Sequence, residues 1–519
     1  MKIALIYPPF MRDNAFPLLS QNRQTKFSKS LEVRIFPLVM AYLATMLKKQ
    51  GHEVLWLDAI NARIQWDDYE NRLRSFNPDW IVMETKTPLI TMHWDYIPKL
   101  KKQTDARLIL VGDHLWYKTE ENFERSNPDY VIVGGDYDFI ISELLEFETG
   151  SRSARPGGVY WFENNAMQTT GCAALYDLST SPQIDRDLTQ WYNYGEAYLQ
   201  HPCAYILTGR GCGGRNPIDG SKAKKEKYGS TLAGRCTFCI WQHSFWRNTA
   251  RMRPVKDVVD EIEMLYKKYG VVEVFDDNED GPVWNKEWMR AFADEFESRG
   301  LYGKVAFSTN ARGDNLDEEM CTLCERIGTR LLKIGVESGS NETLVRLQKD
   351  ETIEEIIDGV KRAKRHGMVV LLTTMVGYPW ETREGARKTW LATKEMMLYR
   401  TKFGDSLQSS VVLPYPGTPL YRYALRNDYF CIDAHNYDRF DQAEAVMKTD
   451  VDTTYWCRKM WRIMLHPLFI IKSFFTLRSW DDIKQALYGL RSLFGHLKDY
   501  DHTAQHTVAD IKKDDQGNV

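Results

Sequence analysis

The amino-acid sequence predicts an α/β protein, in which a doubly wound parallel sheet precedes a partial (β/α)6 barrel and a mostly helical tail. In the first 150 residues, five short apolar runs alternate with segments of helical periodicity. Six further runs alternate with helical segments between residues 196 and 425. Continuous Val, Ile and Leu runs are typical of parallel strands that are buried on both faces. Both sheets are therefore predicted to be parallel.

The predicted strands fall into two sets, which define the domain boundaries. The first set covers residues 3–7, 54–57, 80–83, 108–111 and 130–133. The second set covers residues 204–207, 271–275, 305–307, 331–334, 369–374 and 408–413. The chain is therefore divided into a sheet domain over 1–150, a linker with a small hairpin over 151–195, the barrel over 196–425 and a helical region over 426–519.

Charge and composition exclude several classes of protein. The 519 residues carry a formal net charge of −3, so the chain lacks the positive charge of a dedicated nucleic-acid-binding protein, and no nucleic acid is expected as a partner. Its nine cysteines are too few and too irregularly spaced for a disulfide scaffold, which predicts a reducing, cytoplasmic environment. The most apolar run, residues 463–475, includes His466, Pro467 and Lys472 and is shorter than the ~20 residues of a membrane-spanning helix.

Three cysteines follow the first predicted barrel strand. Cys212 ends the sequence TGRGC, and Cys236 and Cys239 belong to CTFC. Iron–sulfur clusters take soft thiolate ligands, and a four-iron cluster with three thiolates keeps one iron open. The segment between Cys212 and Cys236 is rich in Gly, Lys and Ser and lacks Cys and His, so we interpret it as a solvated loop. Closing this longer loop costs roughly 1.6 kcal/mol, which is small beside several Fe–S bonds.

A structural zinc site is the alternative for these cysteines. A lone CxxC is also typical of half a zinc site, and Cys321 and Cys324 have the spacing of a second half. Those two lie at i and i+3 of a predicted amphipathic helix, which favours ordinary packing. His243 is the candidate for a fourth ligand near CTFC. A non-catalytic metal- or corrinoid-binding protein is therefore the alternative from another functional class.

Five motifs follow one another along the predicted barrel. They are RMRPVKDVVDEIEML at 251–265, VFDDN at 274–278, IGVESGS at 334–340, MVGYPWET at 375–382 and LPYPGTPLY at 413–421. Together with CTFC, in which Phe238 precedes the third cysteine, they resemble the radical S-adenosylmethionine superfamily, and most closely its cobalamin-binding branch. The resemblance covers about residues 1–425. The sequence departs from the C-x3-C-x2-C pattern of the family, because its first gap has twenty extra residues.

The resemblance implies roles for residues at the carboxyl ends of the barrel strands. Cys212, Cys236 and Cys239 would bind a 4Fe-4S cluster, whose open iron would chelate the amino and carboxylate groups of S-adenosylmethionine. Glu337 and Ser338 match positions that contact the ribose or the amino-acid portion. For each acidic residue, a helix cap or a surface ion pair is the alternative. The set implied to bind S-adenosylmethionine comprises Asp276, Asp277, Asn310, Arg312, Glu337, Ser338 and Gly377.

The first domain resembles cobalamin-binding domains in its opening KIALIYPP, in residues 37–59 and in the segment NPDYVIVGGDYD. It lacks a D-x-H-x-x-G loop, so no histidine is assigned as lower cobalt ligand. Glu84 and Lys86 also place charge at one strand end, so a vestigial domain that binds no corrinoid is the alternative. Ligands of doubly wound sheets lie at the carboxyl ends of the strands, which places cobalamin contacts at Pro8, Thr85, Gly112 and Gly134.

The resemblance implies that S-adenosylmethionine is cleaved to a 5′-deoxyadenosyl radical, most plausibly for cobalamin-dependent methylation of an unactivated carbon. Without cobalamin, radical cyclisation, oxidation or C–C coupling on the same barrel is the alternative. The implied partners are a small-molecule substrate and an electron donor such as flavodoxin or ferredoxin. The tail mixes aromatic residues with Arg and Lys, which is compatible with an amphiphilic substrate or a membrane surface. A helical lid packed on the barrel is the alternative for the tail.

Overall fold

A computed structural model describes residues 1–19, 26–30, 33–213, 236–247, 249–477 and 480–514. The interpretation of the segment after Cys212 as a solvated loop concerns residues 214–235, which lie outside the described residues. In chain order the strands are β1 (Lys2–Tyr7), β2 (Phe16–Leu18), β3 (Lys26–Ser28), β4 (Val33–Arg34), β5 (Glu53–Asp58), β6 (Trp80–Thr85), β7 (Arg107–Gly112), β8 (Tyr130–Ile132), β9 (Val159–Glu163), β10 (Ala166–Thr169), β11 (Gly195–Glu196), β12 (Cys203–Ile206), β13 (Gly209–Gly211), β14 (Ala250–Met252), β15 (Glu273–Asp276), β16 (Ala306–Ala311), β17 (Thr329–Glu337), β18 (Val369–Val376) and β19 (Ser406–Val411).

The helices alternate with these strands along most of the chain. The α-helices are Leu38–Lys49, Trp66–Phe76, Ile90–Gln103, Thr119–Ser126, Tyr137–Glu148, Ile240–Ser244, Val255–Tyr269, Lys286–Ser298, Glu318–Arg326, Asn341–Arg346, Ile353–Arg365, Arg383–Leu398, Pro419–Arg426, Thr453–Trp461, Pro467–Phe474 and Trp480–Asp514. The short 3-10 helices are Thr87–Leu89, Leu178–Thr180, Trp191–Asn193, Gly313–Asn315, Tyr437–Arg439 and Arg462–Leu465.

The first sheet has the strand order β10-β9-β8-β7-β6-β1-β5. Its five strands β1 and β5 to β8 are parallel, as the apolar runs predicted. The hairpin of β9 and β10 differs from the prediction that placed it in a linker, because Val159 of β9 pairs with Ile132 of β8. This pairing extends the first sheet and covers backbone N–H and C=O groups that a free edge of β8 would expose.

The second sheet has the strand order β12-β15-β16-β17-β18-β19, and every neighbouring pair is parallel. These six strands are the ones that the second set of apolar runs predicted. The helix Val255–Tyr269 leads from the first to the second of them, and its buried Val258, Ile262 and Leu265 occupy one face at i, i+4 and i+7. The predicted partial barrel is therefore confirmed.

A buried ion cluster joins the two sheets. Asp136 and Asp138 lie at the start of the helix that follows β8, and Arg210 lies in β13, close after the first barrel strand. The Arg210 guanidinium donates to Asp136 at 2.8 Å and to both carboxylate oxygens of Asp138 at 2.8 and 2.6 Å. Arg251 in β14 donates to Asp136 at 2.7 Å. Both carboxylates are fully buried, so this pairing, together with the Tyr176 N–H that donates to Asp136 at 2.7 Å, compensates for the loss of their hydration.

The C-terminal helices pack against the last strand of the barrel. Trp461 donates from Nε1 to the Ser409 carbonyl at 3.2 Å and thereby caps part of the free edge of β19. Cys457, Trp461 and Leu493 share a buried apolar cluster with Val411. The predicted helical tail is therefore confirmed. Within the described ranges, no helix combines the length and the apolar composition that crossing a membrane requires.

We expect Asp138→Asn to lower the free energy of unfolding by roughly 3 kcal/mol, because it removes one of the two charges that compensate the buried Arg210. Urea denaturation followed by circular dichroism measures this effect. Asp68→Asn is the control, since it breaks the exposed pair of Asp68 with Arg72, and its expected cost is below about 1 kcal/mol. Equal destabilisation by both variants would contradict the importance of the buried cluster.

Candidate functional site

A cavity opens at the carboxyl ends of the barrel strands, where functional residues of such barrels lie. Cys212, Cys236 and Cys239 all line it, although they come from two separate chain segments. The structure thus brings the three cysteines together. The walls formed by β16 to β19 and their following loops comprise Asn310, Ala311, Arg312, Lys333, Gly335, Glu337, Gln348, Lys349, Thr373, Thr374, Met375, Gln408 and Ser410.

The backbone next to the cysteines is closely packed. The first cysteine directly follows β13, which pairs antiparallel with β14. At Gly211, where φ is +91°, a Cβ atom would lie 1.9 Å from the Thr249 carbonyl oxygen, so only glycine permits this pairing. The Cys239 N–H donates to the Cys236 carbonyl at 3.1 Å and closes a turn before the helix Ile240–Ser244. Local backbone bonds therefore position all three cysteines.

The three cysteines supply the soft thiolate donors that an iron–sulfur cluster takes, with each cysteine binding a different iron. Burial raises the pKa of the Cys239 thiol to about 12, and iron binding would remove that proton. The chemistry of the three soft donors therefore fits a 4Fe-4S cluster.

The residues considered for zinc lie elsewhere or make other contacts. His243 Nε2 lies 3.3 Å from the Cys236 carbonyl oxygen, so its ring contacts the backbone of the CTFC turn. Cys321 and Cys324 are fully buried in the apolar core of the barrel domain. Burial raises the pKa of both thiols to about 12, as expected for packed, unreactive cysteines. The second pair of cysteines therefore does not complete a site with CTFC.

Three of the residues implied to bind S-adenosylmethionine line the cavity: Asn310, Arg312 and Glu337. Asn310 lies near the carboxyl end of β16, and its Nδ2 donates to the Asn278 carbonyl at 2.6 Å. The Arg312 Nε donates to Asp314 at 3.0 Å. These two bonds hold the loop ends of the second and third barrel strands in place beside the cysteines.

Glu337 has a strained backbone. Its φ is +60°, which is uncommon for a residue with a side chain, and the register of β17 with β18 shifts beside it. Lys349 Nζ lies 3.0 Å from Glu337 Oε1 and 3.1 Å from Glu351 Oε1. A Cβ atom at Gly335 would come within 2.4 Å of Glu337 Oε1, so glycine leaves the space for this pair. Strain of this kind is typical of functional sites, where surrounding contacts hold a side chain in one position.

Asp276 and Asp277 are buried at the end of β15 and are not among the lining residues found in the described part of the cavity. Asp276 accepts hydrogen bonds from Thr208 Oγ1 at 2.9 Å and Thr309 Oγ1 at 2.8 Å. Burial raises its pKa to about 6, and these bonds oppose the rise. Asp276 therefore ties three neighbouring strand ends together.

Ser338 and Gly377 are likewise absent from the cavity lining in the described residues. The Ser338 hydroxyl accepts from the Ser340 N–H at 3.1 Å. At Gly377, where φ is +102°, a Cβ atom would lie 2.7 Å from Thr453 Cγ2. The glycine therefore permits the close approach of the helix Thr453–Trp461 to the barrel.

The sequence analysis missed four charged residues of the cavity: Glu279, Asp280, Lys333 and Lys349. Burial raises the pKa of Glu279 and of Asp280 to about 7, and Arg312 opposes the rise at Asp280. The two acids directly follow the VFDDN motif, and this position in the sequence could have identified them as site residues. Lys349 follows a short helix after β17, and no motif marks it.

The carboxyl ends of the first sheet meet the segment that follows CTFC. Trp241 Nε1 donates to Asp113 at 3.1 Å, and the Lys86 ammonium lies 4.4 Å from the centre of the Trp241 ring system. Lys86 also pairs with Asp113 at 3.1 Å and with Glu84 at 3.6 Å. All four side chains are at most 4% exposed. Protein side chains therefore fill this part of the cleft.

The four residues predicted to contact cobalamin surround this network. Thr85 lies between Glu84 and Lys86, and a Cβ atom at Gly134 would lie 2.9 Å from the Ser244 carbonyl oxygen. In the described conformation the Trp241 side chain covers Asp113 at these strand ends. The four residues are Pro8, Thr85, Gly112 and Gly134.

Comparison with known proteins identifies the barrel. Residues 233–389 match the family described as the radical SAM superfamily. An uncharacterized methyltransferase of Pyrococcus horikoshii is 24% identical over 88% of this chain and 94% of its own length. An anaerobic magnesium-protoporphyrin IX monomethyl ester cyclase of Cereibacter sphaeroides is 24% identical over 79% of this chain and 63% of its own length.

One solved structure resembles the whole architecture. It is the radical S-adenosylmethionine methyltransferase TsrM from Kitasatospora setae, with cobalamin and a [4Fe-4S] cluster bound. The TM-score is 0.65 at 14% identity, and the alignment covers 95% of this chain and 99% of that chain. At this identity the likeness concerns the fold, whereas the family match includes Cys236, Cys239 and Glu337. Residues 233–389 therefore match the radical SAM superfamily, and the chain has a fold similar to that of this methyltransferase structure.

Proposed function

We propose that this chain is a radical SAM methyltransferase, which cleaves S-adenosylmethionine reductively and methylates a carbon atom of a small molecule. The proposal rests on the meeting of Cys212, Cys236 and Cys239 in one cavity at the barrel mouth. A bound 4Fe-4S cluster would supply the electron that breaks the sulfonium C–S bond to give a 5′-deoxyadenosyl radical. The names of the relatives support methyl transfer as the reaction type.

The residues of the cavity bind and orient S-adenosylmethionine in this proposal. The Glu337 side chain accepts hydrogen bonds from the ribose hydroxyls or the ammonium group. Lys349 holds this carboxylate in position at 3.0 Å. Asn310 and Arg312 form the wall contributed by β16. The apolar side chains of the cavity exclude water, which protects a reactive radical.

The remaining residues implied to bind S-adenosylmethionine act as positioning residues in the described conformation. Asp276 links the ends of β12, β15 and β16, and Asp277 lies buried beside it. Ser338 directly follows Glu337, and its hydrogen bond to the Ser340 N–H supports the turn after β17. Gly377 admits a C-terminal helix against the fifth strand of the barrel.

We further propose cobalamin as the methyl carrier, because the similar methyltransferase structure contains it. Binding at the carboxyl ends of the first sheet requires Trp241 to leave Asp113. The apparent affinity is then the affinity of the open state multiplied by the fraction of molecules in that state. The predicted contacts at this site are Pro8, Thr85, Gly112 and Gly134.

Radical cyclisation, oxidation or C–C coupling without cobalamin is the second candidate function. The buried contacts of Trp241 with Lys86 and Asp113 favour it, because they occupy the cleft. A relative that is named as a cyclase also supports this second candidate function. In this case the first domain only shapes the substrate pocket, and the product gains no methyl group.

The proposed reaction requires an electron donor and a reducing environment. An electron donor of the flavodoxin or ferredoxin class supplies one electron for each cleavage. The nine cysteines are free thiols, which together with an oxygen-sensitive cluster supports a reducing cytoplasm. We therefore propose a cytoplasmic enzyme with a small amphiphilic substrate.

We expect Cys236→Ala to lose cluster iron after anaerobic reconstitution and to form no 5′-deoxyadenosine above background, because one thiolate ligand is missing. Iron analysis, electron paramagnetic resonance and chromatography of the products measure this. Cys172→Ala is the matched control, since Cys172 is exposed and lies outside the cavity lining. Zinc without iron in the wild-type protein, or full activity of Cys236→Ala, would sink the proposal.

We expect Glu337→Gln to weaken S-adenosylmethionine binding about 10- to 100-fold, because a hydrogen bond to a charged acceptor becomes a neutral one. Equilibrium dialysis with the reconstituted protein measures the dissociation constant, and the iron content stays at the wild-type value. Glu342→Gln is the control, since Glu342 is exposed and pairs only with Arg346 on its own helix turn. If the two variants bind equally well, Glu337 does not contact the cofactor.

We expect Trp241→Ala to bind hydroxocobalamin more tightly than the wild type, by at least about tenfold. The reason is that the Trp241 side chain no longer has to leave Asp113 before the corrin binds. The visible absorption of the bound corrinoid measures the affinity. Trp246→Ala serves as control, because Trp246 is buried in the same segment but donates to Glu279. Equal affinities of all three proteins would show that Trp241 does not occupy the corrin position.

A further inference from the structure

A second cavity lies next to the cysteine cavity in the barrel. Successive inward side chains of a strand lie two residues apart. On β18, Leu371 lines the second cavity, whereas Thr373 and Met375 line the cysteine cavity. Lys333 of β17 and Gln408 of β19 line both cavities. The two cavities are therefore neighbours inside the barrel, with these side chains between them and the cysteines on one side.

The far end of the second cavity lies between the C-terminal helices. Its volume is about 400 Å³, which is the size of a site for a small organic ligand. Apolar side chains dominate the walls in this part. Those contributed by the helices Pro467–Phe474 and Trp480–Asp514 and the turn after the first of them are Phe469, Ile470, Phe474, Leu477, Leu490 and Leu493.

The outer surface of the same helices is apolar as well. Eleven of the twenty large apolar side chains that are exposed in the described residues lie between residues 468 and 494. A concentration of this kind marks an interaction surface, whereas single exposed apolar residues are ordinary. We call these eleven residues the apolar face: Leu468, Ile470, Ile471, Phe474, Phe475, Trp480, Ile483, Leu487, Tyr488, Leu490 and Phe494.

Cationic side chains accompany the apolar face. Lys472, Lys484 and Arg491 are exposed on the same two helices. Asp482 is only partly exposed, so cations predominate among the exposed charged side chains described there. Helices with exposed Trp, Phe and Leu on one face and Lys or Arg beside it bind to anionic lipid surfaces. Ile470, Phe474 and Leu490 belong both to the apolar face and to the lining of the second cavity.

We propose that the apolar face docks on an anionic lipid bilayer and that the second cavity takes up the hydrocarbon part of an amphiphilic substrate. The chain of the substrate then runs past Leu371 into the barrel, and the reacting carbon lies in the cysteine cavity. This inference rests on the proposed function, for which it names the substrate class and the route of access. It accounts for a cavity that shares wall residues with the cysteine cavity and is lined in part by residues of the apolar face.

A fatty-acid probe tests the cavity. Gly489 lines it, and a Cβ atom there would contact nothing within 4 Å, so Gly489→Phe adds a ring to the cavity wall from a position where its Cβ meets no neighbour. We expect this variant to bind cis-parinaric acid at least about tenfold more weakly than the wild type, because several methylenes lose their burial. Leu487→Phe is the control, since Leu487 is exposed on the same helix and lies outside the cavity lining.

Vesicles test the apolar face. We expect the wild type to sediment with vesicles of phosphatidylcholine and phosphatidylglycerol, and Phe475→Ser/Trp480→Ser to partition at least about tenfold less. The control is Leu391→Ser/Leu425→Ser, which removes two exposed apolar side chains outside the apolar face. Size-exclusion chromatography accompanies the assay.

Three outcomes would overturn the inference. The first is a wild type that binds neither vesicles nor cis-parinaric acid, and the second is variants that bind as their controls do. The third is a dimer that Phe475→Ser/Trp480→Ser dissociates, which would make the apolar face an interface between two copies of the chain. Iron content and 5′-deoxyadenosine formation are measured on the same preparations. Their absence with intact lipid binding contradicts the proposed function and leaves the lipid site standing.

Discussion

The buried pairing of Arg210 with Asp136 and Asp138 is the constraint on which the arrangement of the two sheets depends. The three bonds are between 2.6 and 2.8 Å long. A shift of one domain that breaks them would leave three buried charges without their partners. Arg210 lies two residues before Cys212, so the contact that joins the domains also positions the first cysteine. The second ligand-bearing segment is anchored in the same interface, because Trp241 and Phe245 pack into the core of the first domain.

The two ends of the barrel have different chemistry because of this arrangement. At the carboxyl ends of the strands, carboxylates, an arginine, two lysines and three thiols surround one cavity, and the strained Glu337 presents its carboxylate there. Toward the other end, the inward positions become apolar at Leu371 and continue between the C-terminal helices. A polar cofactor and an apolar substrate chain could thus approach the same reacting position from opposite directions. The cleft of the first domain contributes to neither cavity while Trp241 covers Asp113.

Most of the fold could be predicted from the sequence, because parallel strands buried on both faces require continuous apolar runs. All eleven predicted parallel strands are present. The hairpin of β9 and β10 was assigned to a linker, since nothing local distinguishes a free hairpin from one that extends a sheet; the pairing of Val159 with Ile132 decides this. The site was predictable where residue type limits the chemistry, as for thiolates and iron. Lys349 was not, because it acts through its distance to Glu337.

The sequence by itself therefore determined the order of the two sheets, the three cysteines and the motif-bearing strand ends, since all of these depend on periodicity and residue type along the chain. Only the tertiary structure decided which acids touch the cavity and which, like Asp276, tie strand ends together. It also decided that Trp241 covers Asp113 at the carboxyl ends of the first sheet and that residues of the apolar face line the second cavity. The physical reason is that burial, pairing and open space arise between residues far apart in the chain, and no local pattern records them.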